Sequence, residues 1–233
     1  MKKALIVLHQ KSSEAGNLEN KLIERKFDLE FICPALGDSL PQNLEHYGAI
    51  IILGGPMSAN DNDDFIKNEI DWIGQVLKSN VPFLGICLGA QMLAKHLGCK
   101  IEKNKNDLSE IGFYNLIPTP KGLKMFQKQN IFYQFHSEGF ELPNGSELLA
   151  KGDIFKNQAF RFKNCYGLQF HPEVNIYLHF KWILLVLIKK PHALFKKGSQ
   201  NIFSQLIFRF KYNKSISQWL DKFLDDYFLK IEQ

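Results

Sequence analysis

Apolar runs at residues 4–8, 29–33, 49–53 and 82–86 recur through the first hundred positions, with polar or helix-patterned sequence after each. Runs that are apolar throughout, instead of alternating with polar residues, mark strands buried on both faces. Such strands interleaved with helices predict a parallel sheet covered on both sides. Between the last two runs, Phe65, Ile66, Ile70, Ile73 and Leu77 recur at helical spacing behind Asp63 or Asp64 as a cap. This predicts the crossover helix of a right-handed βαβ unit. From about Cys99 the pattern shortens to 112–117, 131–135, 147–150, 158–162 and 166–170, broken by Pro, Gly and Asn. These segments are expected to form mixed or antiparallel pairs that extend the sheet edge. Near the end, Ser215-Ile216-Ser217-Gln218 reads as a capping box. It precedes a helix with Ile216, Trp219, Leu220, Phe223, Leu224, Tyr227, Phe228 and Ile231 on one face. The expected architecture is an α/β three-layer sandwich with a mostly parallel central sheet.

With 233 residues, 45% of them hydrophobic, the chain can bury one sizeable core, and residues 1–233 are expected to form one domain. The opening Met1-Lys2-Lys3 and apolar run stop at His9-Gln10 with no small-residue cleavage site, so a first buried strand is expected instead of a signal peptide. The longest uninterrupted apolar stretch, 182–188, is seven residues long. A bilayer-spanning helix needs roughly 20. A soluble, cytoplasmic protein without a membrane span is therefore expected. Cys33, Cys87, Cys99 and Cys165 form no C-x-x-C pair, so neither a zinc site nor a disulfide scaffold is expected, and no cofactor is predicted. Cys33 and Cys165 sit in strand-like runs and read as small buried hydrophobes.

Cys87 has a different context. It is centred in Gly85-Ile86-Cys87-Leu88-Gly89, directly after an apolar run and before the helix-patterned Gln91 to Leu97. A strand that turns sharply into a helix at such a motif lifts the central side chain out of the sheet, and the helix N-terminus favours a thiolate there. Cys87 is the candidate nucleophile. A nucleophile for acyl transfer needs a base, and the base needs an orienting group. Gln169-Phe170-His171-Pro172-Glu173 supplies both: in extended chain, residues two apart point the same way, which puts His171 and Glu173 on one side, with Pro172 restricting the backbone between them. A second glycine turn, Gly54-Gly55, ends a neighbouring buried strand. The N–H groups of Gly55 and Leu88 are the candidate oxyanion donors.

These segments resemble the class I (triad) glutamine amidotransferases, whose G-[IV]-C-x-G-x-Q elbow stands here as Gly85 to Gln91 and whose Q-F-H-P-E segment stands as Gln169 to Glu173. Within that family, Gly54 to Asp61, Glu110 to Phe113 and His136 to Pro143 are similar to the stand-alone GMP-synthetase-like amidotransferases. The resemblance covers most of residues 1–174. It implies a flavodoxin-like fold and hydrolysis of the glutamine side-chain amide through a γ-glutamyl thioester on Cys87, releasing ammonia. It also implies that Gln91, Gly139, Phe140 and the His136 loop hold the substrate, although Ser137 stands where the family often has glycine. No S-G-G-x-D-S pyrophosphatase loop occurs in the chain, so making GMP alone is not expected. Three readings stay open: an amidotransferase donating ammonia to an unidentified acceptor, as the subunit of a synthetase; a free-standing hydrolase of another γ-glutamyl compound; or a partner-activated regulatory subunit with no activity alone. A homo-oligomer is compatible with each.

His9, His46, His96, His179 and His192 have no carboxylate or cysteine at motif-like spacing and are read as solvated or core-satisfied. Residues 178–214 contain eight Lys or Arg and no Asp or Glu, interleaved with aromatic residues. The expected arrangement is buried aromatic helix faces with a solvated basic exterior. Docking of a partner subunit ranks as the alternative, ahead of nucleic acid.

Overall fold

The computed structural model describes residues 2–189 and 191–230. Met1, Ile231 of the expected C-terminal helix face, and Lys190, one of the eight basic residues in 178–214, lie outside them.

Five parallel strands carry the site: β1 (Lys3–Val7), β2 (Asp28–Ile32), β3 (Tyr47–Ile52), β4 (Phe83–Ile86) and β12 (Cys165–Leu168), side by side in the order β2-β1-β3-β4-β12. Beyond β12 the sheet continues antiparallel through β11 (Ala159–Phe162), β10 (Glu147–Lys151) and the short β7 (Ile117–Pro118). The period-two geometry of a strand explains why near-continuous apolar runs were needed. In β1, Ala4 and Ile6 enter one core and Leu5 and Val7 the other; in β3, Ala49 and Ile51 part from Ile50 and Ile52 in the same way. On the first face pack α1 (Asn17–Glu24), through Leu18 and Leu22, and α6 (Ile202–Phe223), through Ile216, Trp219, Leu220 and Phe223. On the second pack α2 (Asp64–Ser79), through Ile66, Trp72, Ile73 and Val76, and α3 (Leu88–His96), through Leu88, Ala90, Met92 and Leu93. The result is the expected three-layer sandwich. Each fully buried Leu, Ile or Val contributes roughly 1.5–3 kcal/mol relative to exposure. Asp63 stands at the N-cap of α2 without a side-chain cap bond, and Asn80 ends the helix in the left-handed region, at φ 57°.

The α3–β3 approach depends on Gly89. A Cβ built there would lie 2.2 Å from the Ile52 carbonyl oxygen, and one at Gly85 would lie 2.4 Å from the Gly89 carbonyl oxygen. Both obstructions are backbone, which cannot swing aside. Gly89→Ala is therefore expected to destabilise the chain by about 3 kcal/mol or more, read as a lower urea midpoint.

Three expectations need correction. Segment 131–135 and most of 112–117 pair antiparallel, as expected, but do not extend the main sheet: β6 (Glu110–Asn115) and β8 (Ile131–His136) form a separate ribbon, and only Ile117 falls in the edge strand β7. The reason is packing, because Phe113, Phe132 and Tyr133 turn onto the first core face while β10 and β7 occupy the sheet edge. β9 (Glu138–Phe140) likewise pairs with β5 (Ile101–Lys103) in a two-stranded sheet of its own. The capping box at Ser215 is not a helix start. With no Pro or Gly between Asn201 and Ser215, α6 runs through that position, and the Ser215 hydroxyl donates to the Tyr212 carbonyl at 3.1 Å. The true cap is Asn201, whose side chain accepts the Ser204 N–H at 2.8 Å.

The third correction concerns residues 178–214. In α5 (Ile176–Lys189) and α6 many apolar side chains face outward: Phe180, Leu184, Ile188, Phe203, Ile207 and Phe210 are all exposed, and the Phe180 and Phe210 rings meet at 6.3 Å. Arg209, expected outside, is completely buried. The inner face of α6 is set by what lies beneath it. None of the described helices is long and apolar enough to cross a membrane.

Candidate active site

Cys87 sits between the end of β4 and the start of α3 with φ 52° and ψ −104°. A non-glycine residue in that region is strained and survives only where its surroundings fix it. Here the Cys87 N–H donates to the Leu168 carbonyl at 2.7 Å and the Cys87 carbonyl accepts the Gln91 N–H at 3.0 Å, so the elbow is held from both sides. His171 and Glu173 follow β12, the strand adjacent to β4. The His171 N–H is anchored on the Tyr133 carbonyl at 2.8 Å. His171 Nδ1 meets Glu173 Oε1 at 2.7 Å, and both residues are only 2% exposed. The Trp182 ring stands edge-on to the imidazole, 5.1 Å between centroids.

Gly54 lies between the two chemical groups. A Cβ built on it would be 2.9 Å from His171 Cε1 and 3.4 Å from the Cys87 Cβ. Burial works against charge on His171, but the Glu173 carboxylate and then Cys87 outweigh it and raise the imidazole pKa above its ordinary value. Both interactions favour the imidazolium. His171 Nε2 is buried without a hydrogen-bond partner of ordinary geometry, as is Glu173 Oε2.

Gly55 and Leu88 are neighbours: a Cβ on Gly55 would lie 3.0 Å from Leu88 Cδ2. The orientation of the Gly54–Gly55 peptide is fixed by His9. Its Nδ1 lies 3.2 Å from the Gly54 carbonyl oxygen, and its Nε2 lies 3.0 Å from Glu69 Oε2. No peptide bond among the described residues is cis, and in a trans peptide C=O and N–H point opposite ways. Anchoring the Gly54 oxygen on His9 therefore turns the Gly55 N–H away from His9. His9 is thus core-satisfied, one of the two outcomes expected for it, through a carboxylate sixty positions away in sequence on α2. Both side chains are fully buried. Removing one member of a buried pair leaves the other uncompensated, so His9→Ala is expected to cost about 3–5 kcal/mol of stability, measured by urea unfolding.

The remaining predicted residues form a supporting network. The side-chain amide of Gln91 donates to the Glu138 carbonyl at 2.9 Å and to Gln169 Oε1 at 3.2 Å. His136 Nδ1 meets that same Glu138 carbonyl at 2.8 Å, while its Nε2 lies 3.0 Å from Glu110 Oε2 and 3.1 Å from Gln134 Oε1. The Phe140 ring packs on Phe160 in the second core, 5.1 Å between centroids, and Gly139 backs onto Phe155. Gln91 and the His136–Phe140 segment are thus tied together, with the His136 and Phe140 side chains committed to structure. The described residues contain no group of three or more His, Cys, Asp or Glu placed to hold a metal ion.

The ionisable side chains of Glu69 and Arg209, both fully buried, escaped detection in the sequence. A signal existed for each. Glu69 falls on the buried stripe of α2 between Ile66 and Ile73, and Arg209 lies two helical turns before Ile216 on the inner face of α6.

Comparison with known proteins bears on the family and the fold. The model of the family described as glutamine amidotransferase class-I matches residues 7–184. A glutamine-hydrolyzing GMP synthase subunit of Thermococcus kodakarensis is 37% identical over 131 residues, 54% of this chain and 65% of its own length. The glutamine-hydrolyzing GMP synthase of Porphyromonas gingivalis is 32% identical over 167 residues, 68% of this chain but 32% of its own length. The chain thus spans less than two thirds of these curated relatives. The crystal structure of a glutamine amidotransferase from Thermotoga maritima superposes with a TM-score of 0.87 at 29% identity, covering 99% of both chains. A glutamine amidotransferase from Methylobacillus flagellatus, 22% identical with a TM-score of 0.86, shares the fold and covers 95% of this chain and 92% of its own. With the family model covering most of its length, this chain belongs to the class I glutamine amidotransferases.

Proposed function

We propose that the chain hydrolyses the side-chain amide of glutamine, with Cys87 as nucleophile, His171 as general base and acid, and Glu173 as the group that orients His171. The observation that carries this reading is the convergence at Gly54 of the Cys87 elbow and the buried His171–Glu173 pair. Cys87 Sγ attacks the amide carbon as His171 Nε2 takes its proton. The oxyanion of the tetrahedral adduct lies toward the N–H groups of Gly55 and Leu88, the first directed by His9 and the second at the start of α3. The adduct collapses as His171 returns the proton to the nitrogen, and ammonia leaves a γ-glutamyl thioester. Water then attacks the thioester, His171 takes its proton, and glutamate departs as the thiol is restored.

Gln91 and the backbone of Gly139, joined through Glu138, are proposed to hold the glutamyl end, with His136 and Phe140 bracing that segment. Residues 1–233 act in this reading as one amidotransferase domain. The relatives named as subunits of GMP synthase support delivery of ammonia to a separate synthetase. The test is ammonia release from L-glutamine by the purified chain, alone and with a candidate synthetase, with the Cys87→Ala protein as background. Cys87-dependent release supports the reading. Release that is equal in both proteins refutes it.

A further inference from the structure

Arg209 is fully buried on α6, outside the segment that the family model matches. A buried guanidinium is costly unless its surroundings compensate it. Its Cζ lies 4.9 Å from the centroid of the Phe113 ring and 5.4 Å from that of Tyr133. Its Nε donates to His179 Nδ1 at 3.3 Å, and its Nη1 donates to the Val174 carbonyl at 2.6 Å. His179 suits that role, since burial and then the guanidinium lower its pKa to about 4, which leaves a neutral ring able to accept.

Val174 directly follows Glu173, whose own carbonyl accepts the Asn17 N–H at 2.8 Å where α1 begins. The backbone bearing the Glu173 side chain is thus pinned by α1 at one carbonyl and by α6 at the next. Glu173 Oε2 and Arg209 Nη2 are both buried and carry no hydrogen bond. Burial lowers the Arg209 pKa to about 10, and the negative charge of the Glu173 carboxylate acts against that shift.

We propose that Arg209 is a positioning residue for the amide hydrolysis: it clamps the Val174 carbonyl and sets a buried positive charge near the Glu173 carboxylate, keeping Glu173 aimed at His171. The inference rests on the assignment of Cys87, His171 and Glu173 given above. It also gives the inner face of α6 a use that the family match does not, because the last long helix reaches under the active site.

The test is a double-mutant cycle of Arg209→Met, Glu173→Gln and the double variant, with kcat and KM for L-glutamine measured for each. Methionine fills much of the same volume without charge, and because it leaves the Val174 carbonyl and the Glu173 carboxylate without the guanidinium, some loss of stability is expected as well. Thermal unfolding checks each protein. Arg209→Met is expected to lower kcat about tenfold with KM within about twofold of wild type. In the Glu173→Gln background the same change is expected to add almost nothing, because its route of action is already gone. Arg209→Lys, which keeps the charge but not the planar fork, is expected to recover part of the loss, and it stands in for the Met variant should that protein not fold. An equal loss of kcat in both backgrounds, or unchanged kcat in either folded Arg209 variant, overturns the proposal. Failure of the underlying assignment has a different signature, Cys87→Ala retaining wild-type ammonia release, and is read without any Arg209 variant.

Discussion

Replacing Cys87 by alanine is expected to abolish ammonia release from L-glutamine while leaving the fold in place. Loss of a covalent nucleophile typically costs about 10⁴-fold or more, because no other group can form the acyl intermediate. The structural cost is small. Cys87 is 6% exposed and touches the first core, so removing its sulfur leaves a minor void. The strained backbone at φ 52° is kept by the Leu168 and Gln91 hydrogen bonds, which involve only main-chain atoms of residue 87. The check is a pair of measurements on one preparation: turnover against glutamine and the urea midpoint. Turnover should vanish and the midpoint should move little.

Glu173→Gln is expected to have the second-largest effect on turnover, lowering kcat by about 10²–10⁴-fold with a much smaller change in KM. The substitution keeps the volume of a side chain that is 2% exposed, so the pocket should survive. What changes is the group at 2.7 Å from His171 Nδ1. A carboxylate accepts the Nδ1 proton and stabilises the imidazolium formed when the thiol is deprotonated. A neutral amide does not supply that charge, and its NH₂ end would impose the wrong tautomer. In the proposed mechanism Glu173 acts through His171 and does not bind substrate, so the loss belongs in kcat. A comparable rise in KM instead would show that Glu173 contributes to glutamine binding.

Much of this was legible in the residues themselves. The parallel strands announced themselves because both faces of each are buried, which makes their sequences apolar throughout. The elbow at Cys87 was legible because a sharp strand-to-helix turn requires small neighbours, and Gly85 and Gly89 meet backbone in the folded chain. His171 and Glu173 were legible because their spacing is local. The parts that stayed hidden are those fixed by tertiary contact. Nothing near His9 in sequence points to Glu69, since the pair is made where the chain leaving β1 meets α2 on the second face of the sheet. Arg209 looked like one more solvated cation because charge composition carries no information on which helix face is covered. The β6–β8 ribbon left the sheet because its apolar side had a core to cover, a preference that period-two patterning cannot distinguish from an edge strand.

The mechanism is tested most directly by its covalent intermediate. The chain is mixed with saturating L-glutamine, quenched in acid during turnover, and its cysteine-containing peptides are weighed. The expected result is a mass increase of one γ-glutamyl group confined to the peptide carrying Cys87, absent from Cys33, Cys99 and Cys165 and absent when glutamine is omitted. Ammonia release at full rate with Cys87 unmodified, or with the adduct on another residue, would contradict it.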